Sequence, residues 1–201
     1  NQEKLFRFNT ENGLTDNTIS YILADNQGMI WVSTLAGGLC RINPHGFQHH
    51  NELQGLSTNT NMCTFVDHLG TLYAGFWPGG LYRYENGTWC QFGDNDGLDG
   101  AIVLDITEDK DYNLIVSIHG FGLKKMMRIH PDSTRFSGTI HYYPEQFPSG
   151  LTYDLLVAPD SALYLFDMSR GMARNIHDSI YWYKEGANFP AVEDQSATQT
   201  A

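Results

Sequence analysis

Basic residues are scarce in this chain. Its 201 residues include 12 Lys and Arg against 23 Asp and Glu, a formal net charge of −11. Binding a phosphate backbone requires a basic face that displaces counterions. The longest basic run is only Lys124-Lys125, followed by Arg128, so nucleic acid is excluded as a partner. Cysteine is scarce too: Cys40, Cys63 and Cys90 make an odd number without metal-ligand spacing. Each lies in an apolar stretch (GLCRI, NMCTF, TWCQF) and reads as a small core residue. No run of about 18 apolar residues occurs, so nothing reads as a membrane-spanning helix. No segment holds an apolar 3.6-residue period long enough for a helix.

Glycine and aromatics are plentiful, with 20 Gly and 13% Phe, Trp and Tyr. Together they suggest short strands joined by tight turns. The arrangement is periodic. DNQGMIWVSTLAGGLCRI (25–42) aligns without a gap with DHLGTLYAGFWPGGLYRY (67–84) and DKDYNLIVSIHGFGLKKM (109–126), each 42 residues on. Upstream, GLTDNTISYILAD, GLSTNTNMCTFVD and GLDGAIVLDITED keep the same register. An eroded fourth copy begins at Gly150-Leu151, with Tyr164 in the place of Trp31 and Gly171 in that of Gly38.

A repeat of this length with four short strands predicts the blade of a β-propeller, in which both faces of each sheet are buried. The fold class is therefore all-β. Units are expected at about 5–46, 47–88, 89–134 and 135–178, with a further strand starting at 179–186 and a disordered tail over 187–201. Most repeated residues then have structural duties. Gly28 and Gly70 supply turn conformations, Asp25, Asp67 and Asp109 bind turn amides, and Trp31 and Tyr73 fill the space between blades. Asn86-Gly87-Thr88 fits a glycosylation acceptor and, equally, a plain hairpin turn.

The pattern of Gly13-Leu14, Asn17, Ile19, Asp25-x-x-Gly28-x-x-Trp31, Thr34 and Gly37-Gly38-Leu39-x-Arg41 resembles the two-component regulator propeller repeat. The second unit keeps Gly55-Leu56, Asn59, Asp67, Gly70, Tyr73, Gly79-Gly80-Leu81 and Arg83; the third keeps less, with Ala101 for Asn and Tyr112 for Gly. The resemblance implies a sensor domain of hybrid histidine kinases and related regulators. It also implies a periplasmic or extracellular location and a ligand, with carbohydrate as the expected class. Family members usually carry seven blades, so four recognisable copies are a fragment of a larger propeller, an assembly that closes between chains, or a small four-bladed ring. Exposed end faces favour self-association or remaining propeller blades as partners.

Function is expected where the repeats disagree, in the loops entering each first strand and joining each second strand to the third. The candidate ligand-binding residues there are Asn17, Asn59, Phe76, Trp77, His119, Phe121, Tyr153, Asp154 and Arg170. Aromatic faces beside polar groups suit sugar rings. Trp77 stands out because the repeat does not need it for packing, although it suits an inter-blade contact as well. No cofactor, metal or catalytic residue is assigned. His49-His50 has no nearby ligand pair, and no Gly-x-Ser-x-Gly elbow occurs. The alternatives are an assembly scaffold and, third, a propeller lyase using His119 and Tyr153.

Overall fold

The computed structural model describes residues 5–93, 98, 100–142, 151–176 and 179–183. They form four separate antiparallel sheets of four strands, each following the chain in simple up-and-down order. The first sheet contains β1 (Ile19–Ala24), β2 (Ile30–Thr34), β3 (Leu39–Asn43) and β4 (Gly46–His50). The second contains β5 (Asn61–Val66), β6 (Leu72–Phe76), β7 (Gly80–Glu85) and β8 (Thr88–Gln91). The third contains β9 (Val103–Glu108), β10 (Leu114–Ile118), β11 (Gly122–Arg128) and β12 (Phe136–Tyr142). The fourth contains β13 (Thr152–Val157), β14 (Leu163–Asp167), β15 (Gly171–Ile176) and β16 (Ser179–Trp182). A single 3-10 turn, Glu52–Gln54, is the helical element among the described residues.

The all-β architecture is as the repeats imply, but the unit boundaries differ. Phe47 to His50 pairs with β3 of its own sheet rather than opening the next. In the same way Ser179–Trp182 closes the fourth sheet instead of starting a further one. The cause is local: a tight turn at Asn43–Gly46, where the His45 N–H donates to Asn43 Oδ1 at 2.8 Å, sends the chain straight back. Asn86 and Gly87 both adopt left-handed conformations (φ 52° and 82°) between β7 and β8. That is the two-residue hairpin turn, with φ positive at both central positions. The expected tail, 187–201, lies outside the described residues.

First strands of successive sheets adjoin and line the axis, while fourth strands lie outermost. Three apolar clusters hold the stack, one at each seam. Trp31 and Leu39 pack on Leu72, Ala74, Phe76 and Tyr82 of the second sheet. One seam later, Tyr73 and Leu81 meet Leu114, Val116 and Ile118. Ile115 and Leu123 then meet Leu155, Leu163 and Leu165. Because β6 and β10 lie between seams, all five residues of each are buried, which explains their largely apolar character.

The repeated Asp ties each unit together. Asp25 Oδ1 accepts from the N–H groups of Gln27 and Met29, and Oδ2 accepts from Trp31 Nε1, all at 2.9 Å. Asp67 does the same for Leu69, Thr71 and the Tyr73 hydroxyl. The second Gly of each Gly-Gly pair serves the seam. Gly38 has φ +77°, its N–H reaches Asn59 O at 2.8 Å, and a Cβ would lie 2.3 Å from His50 O. Gly38→Ala therefore meets both a left-handed backbone cost of about 1–2 kcal/mol and a backbone clash. Urea unfolding should show a lower midpoint with an unchanged slope.

Candidate functional site

Each second strand ends where its first strand begins, so two loops of every sheet meet on one edge. The backbone fixes that edge identically four times. The N–H groups of Leu35, Trp77, His119 and Met168 donate to the carbonyls of Thr18, Thr60, Ile102 and Leu151 at 3.1, 3.0, 3.0 and 3.1 Å. Four equivalent positions thus carry an aliphatic chain, an indole, an imidazole and a thioether along one rim. Trp77 and His119, from neighbouring blades, have ring centroids 5.3 Å apart at 49°. Trp77 is still 36% exposed, and Phe121 nearby in sequence is 68% exposed. An indole face and an imidazole edge side by side offer apolar C–H stacking and hydrogen bonding in one patch.

The other candidate residues separate into different roles. Phe76 is fully buried, its ring edge-on to Tyr82 at 5.3 Å, because β6 lies between two seams. It is core and cannot meet a ligand from solvent. Asn17 and Asn59 clasp the chain seven residues upstream. Asn17 Oδ1 accepts from Thr10 N at 2.9 Å and Nδ2 donates to Thr10 Oγ1. Asn59 Oδ1 accepts from Glu52 N at 3.0 Å and Nδ2 donates to Glu52 Oε2. These repeat asparagines brace the entry loops that carry the rim. Arg170 lays its guanidinium over the Trp182 ring at 5.3 Å, within the fourth sheet. Among the described residues no hydrogen bond or ring contact joins His119 to Tyr153.

Asp154 belongs to a second group that the repeat comparison missed. Every first strand carries a β-bulge at the same place, between residues 19 and 21, 61 and 63, 103 and 105, and 152 and 154. A bulge re-aims the side chains beside it. The residues just past the four bulges are Tyr21, Cys63, Asp105 and Asp154, electrostatically coupled around the axis. Asp105 is buried, and burial together with the Asp154 carboxylate beside it pushes its carboxyl up to about 7, against the pull of hydrogen bonds from Ile106 and Leu155. The Leu155 N–H donates to Asp105 Oδ2 at 2.6 Å, which fixes that oxygen. The same burial raises the Tyr21 phenol and the Cys63 thiol. Only two of the four, Asp105 and Asp154, share a residue type, so no repeated signal marks the position in the sequence.

A third group joins the second and third sheets away from the rim. Asp67, His68 and Glu108 bring three ligand-type atoms within 4.8 Å of one another. Arg128 already fills the place a cation would take. Its Nη2 donates to Asp67 Oδ2 at 2.9 Å and Glu108 Oε1 at 3.0 Å, while Nε and Nη1 reach the carbonyls of Tyr112 and Ser133. His68 Nδ1 lies 2.7 Å from the same Glu108 oxygen, and its ring stacks on Tyr112 at 3.9 Å. With both carboxylates bound by a guanidinium, the cluster reads as an inter-blade tie rather than a metal site.

Comparison with known proteins agrees with this architecture. Residues 13–36 match the family model described as two component regulator propeller. Curated protein sequences give no match. The structure is similar to the extracellular domain of the putative hybrid two component system BT3049 from B. thetaiotaomicron, at 19% identity and a TM-score of 0.67, covering 92% of this chain and 24% of that one. For the extracellular domain of BT4673 from the same organism, a putative one component system, the identity is 20% and the TM-score 0.68, covering 87% and 25%. A virginiamycin B lyase from Staphylococcus aureus shares 14% identity with a TM-score of 0.63, over 90% of this chain and 59% of that one. The chain thus spans about a quarter of the length of these two extracellular domains. At these identities the likeness establishes the propeller fold.

Proposed function

We propose that the chain is a non-catalytic, extracytoplasmic ligand-recognition part of a two-component-type regulator, and that its ligand is a carbohydrate held at the Trp77–His119 rim. The observation that carries this reading is the pairing itself. Equivalent loop positions of adjacent blades place an indole and an imidazole 5.3 Å apart while leaving the indole partly open to solvent. A sugar ring presents C–H groups to such a face and hydroxyls to the imidazole nitrogens. The matched repeat at 13–36 and the likeness to extracellular domains support the location and the regulatory role. Ligand binding acts on signalling only through a difference in affinity between two arrangements of the receptor.

The test is thermal unfolding against a panel of oligosaccharides. A ligand at 100 times its dissociation constant stabilises by about 2.7 kcal/mol, a clear upward shift in Tm. At least one oligosaccharide should shift the wild-type chain, and Trp77→Ala should lose the shift while unfolding at nearly the same temperature without ligand. A shift that survives Trp77→Ala would move the site elsewhere. A lyase would instead release product from its substrate on incubation, which the same panel reads by chromatography.

A further inference from the structure

The third sheet departs from the repeat at one place. Its strands β11 and β12 are joined by residues 129–135, where the first two sheets use only residues 44–45 and 86–87. In a repeat array insertions map to loops, often on a binding face. This loop is held in shape. The Ile129 N–H donates to Arg135 O at 3.1 Å, the Ser133 N–H to His130 O at 2.9 Å, and the Arg135 N–H to Ser133 Oγ at 3.1 Å. It is also tied to the second sheet: His68 Nε2 lies 2.8 Å from Pro131 O, and Arg83 Nη1 donates to Thr134 O. Between loop and second sheet lies an open groove of about 330 Å³, lined by Arg83, Phe92, Ile129, Thr134, Arg135 and Phe136.

The groove combines positive charge with flat apolar walls. The Phe92 and Phe136 rings meet at 5.9 Å and 63°, and Ile129 is 58% exposed. Arg83 is already paired, its Nη2 donating to Glu85 Oε2 at 2.6 Å. Asp132, the one carboxylate of the loop, faces His130 at 3.6 Å. Arg135 is exposed and has no carboxylate within ion-pair distance among the described residues. We propose that this groove binds a small organic anion, a single carboxylate carried on a ring, with the carboxylate on Arg135 and the ring against Ile129, Phe92 and Phe136. A guanidinium takes a planar carboxylate through two parallel N–H donors. One uncompensated charge suits a monoanion, whereas a phosphate monoester carries about −1.5 to −2. An inorganic anion would leave three apolar side chains in water, and a neutral ring would leave Arg135 unpaired. Aromatic acids and acidic sugars share the chemistry. The loop carrying His119 precedes the first residue of β11 and residues 129–135 follow its last, so this site stands apart from the Trp77–His119 rim and does not rest on it.

Isothermal titration of phenylacetate and of glucuronate into the chain tests the site and tells the two sources apart. At least one should bind saturably, and its neutral counterpart, phenylacetamide or glucose, at least about tenfold more weakly. Arg135→Gln and Ile129→Asp change exposed loop residues, so far-UV circular dichroism should stay the same while each lowers the affinity at least about tenfold. Trp77→Ala should leave it unchanged. Absence of binding by both carboxylates at millimolar concentration overturns the proposal. So does undiminished binding to Arg135→Gln, equal binding of the neutral counterpart, equally strong competition by sulfate, or a loss in Trp77→Ala, which would place the anion at the rim.

Discussion

Arg128→Met should cost about 3–5 kcal/mol at pH 8, a loss characteristic of breaking a buried ion pair from one side. The arginine side chain is almost completely buried, as is Asp67, and Glu108 is nearly so. Methionine fills much of the volume but leaves two carboxylates without their cation in a poorly solvated seam. Asp67 is also the turn residue of the second blade, with Leu69, Thr71 and Tyr73 on its oxygens, so the site cannot relax by swinging the carboxylate away. Urea unfolding of wild type and Arg128→Met at pH 8 checks this. A stability loss below about 1 kcal/mol would mean that the two carboxylates do not depend on Arg128.

The second large effect is hidden in the wild type. His50 is 3% exposed among Trp31, Tyr84 and Trp89, and its Nδ1 accepts from Trp89 Nε1 at 3.3 Å. Burial, with Arg41 and His49 adding to it, pushes the imidazole down to about 4. The unfolded chain takes up that proton near pH 6.5, so acidification from 6.5 to 4 favours unfolding, by about 3 kcal/mol in all. Asp105 does the opposite. Its folded carboxyl titrates near 7, the unfolded one near 3.9, so acidification from 7 to 4 favours folding by about 4 kcal/mol. Over pH 4 to 6.5 the two slopes, each about 1.4 kcal/mol per pH unit, nearly cancel.

Each substitution should expose the other group. His50→Phe is structurally mild, since Phe92 and Tyr142 occupy the equivalent place in the next two blades. It should make stability, relative to wild type, rise on acidification. Asp105→Asn should make it fall. Denaturant unfolding of the three proteins at half-unit steps from pH 4.5 to 8 reads both differences. Parallel curves would show that neither side chain is held away from its ordinary range.

How much was legible in the sequence follows from which contacts are local. The blade could be read because its fixed residues act within one unit: Asp25 serves Gln27, Met29 and Trp31, all within six positions. Such short ties recur every 42 residues and leave a periodic trace. The Arg128–Asp67 pair spans 61 residues and occurs once, so the sequence offered only a weak basic run at Lys124 to Arg128. The axial Tyr21, Cys63, Asp105 and Asp154 share a backbone bulge but no residue type common to all four. Phe76 reads as a loop residue because the Gly-Gly turn follows closely, yet it is the last residue of a strand buried on both faces. Trp77, one residue on, clears the sheet. Sequence variation points to the rim as the place where blades differ, whereas which side chains meet there depends on the seam between blades.

Isothermal titration of an oligosaccharide that raises Tm, into the wild-type chain and into Trp77→Ala and His119→Ala, tests the recognition reading most directly. Binding to the wild type should be saturable, with at least a tenfold loss in either variant by the stacking and hydrogen-bond contributions of about 1.4 kcal/mol or more, and with unchanged far-UV spectra. Undiminished affinity in both variants, or no oligosaccharide that binds the well-folded chain at all, would contradict it.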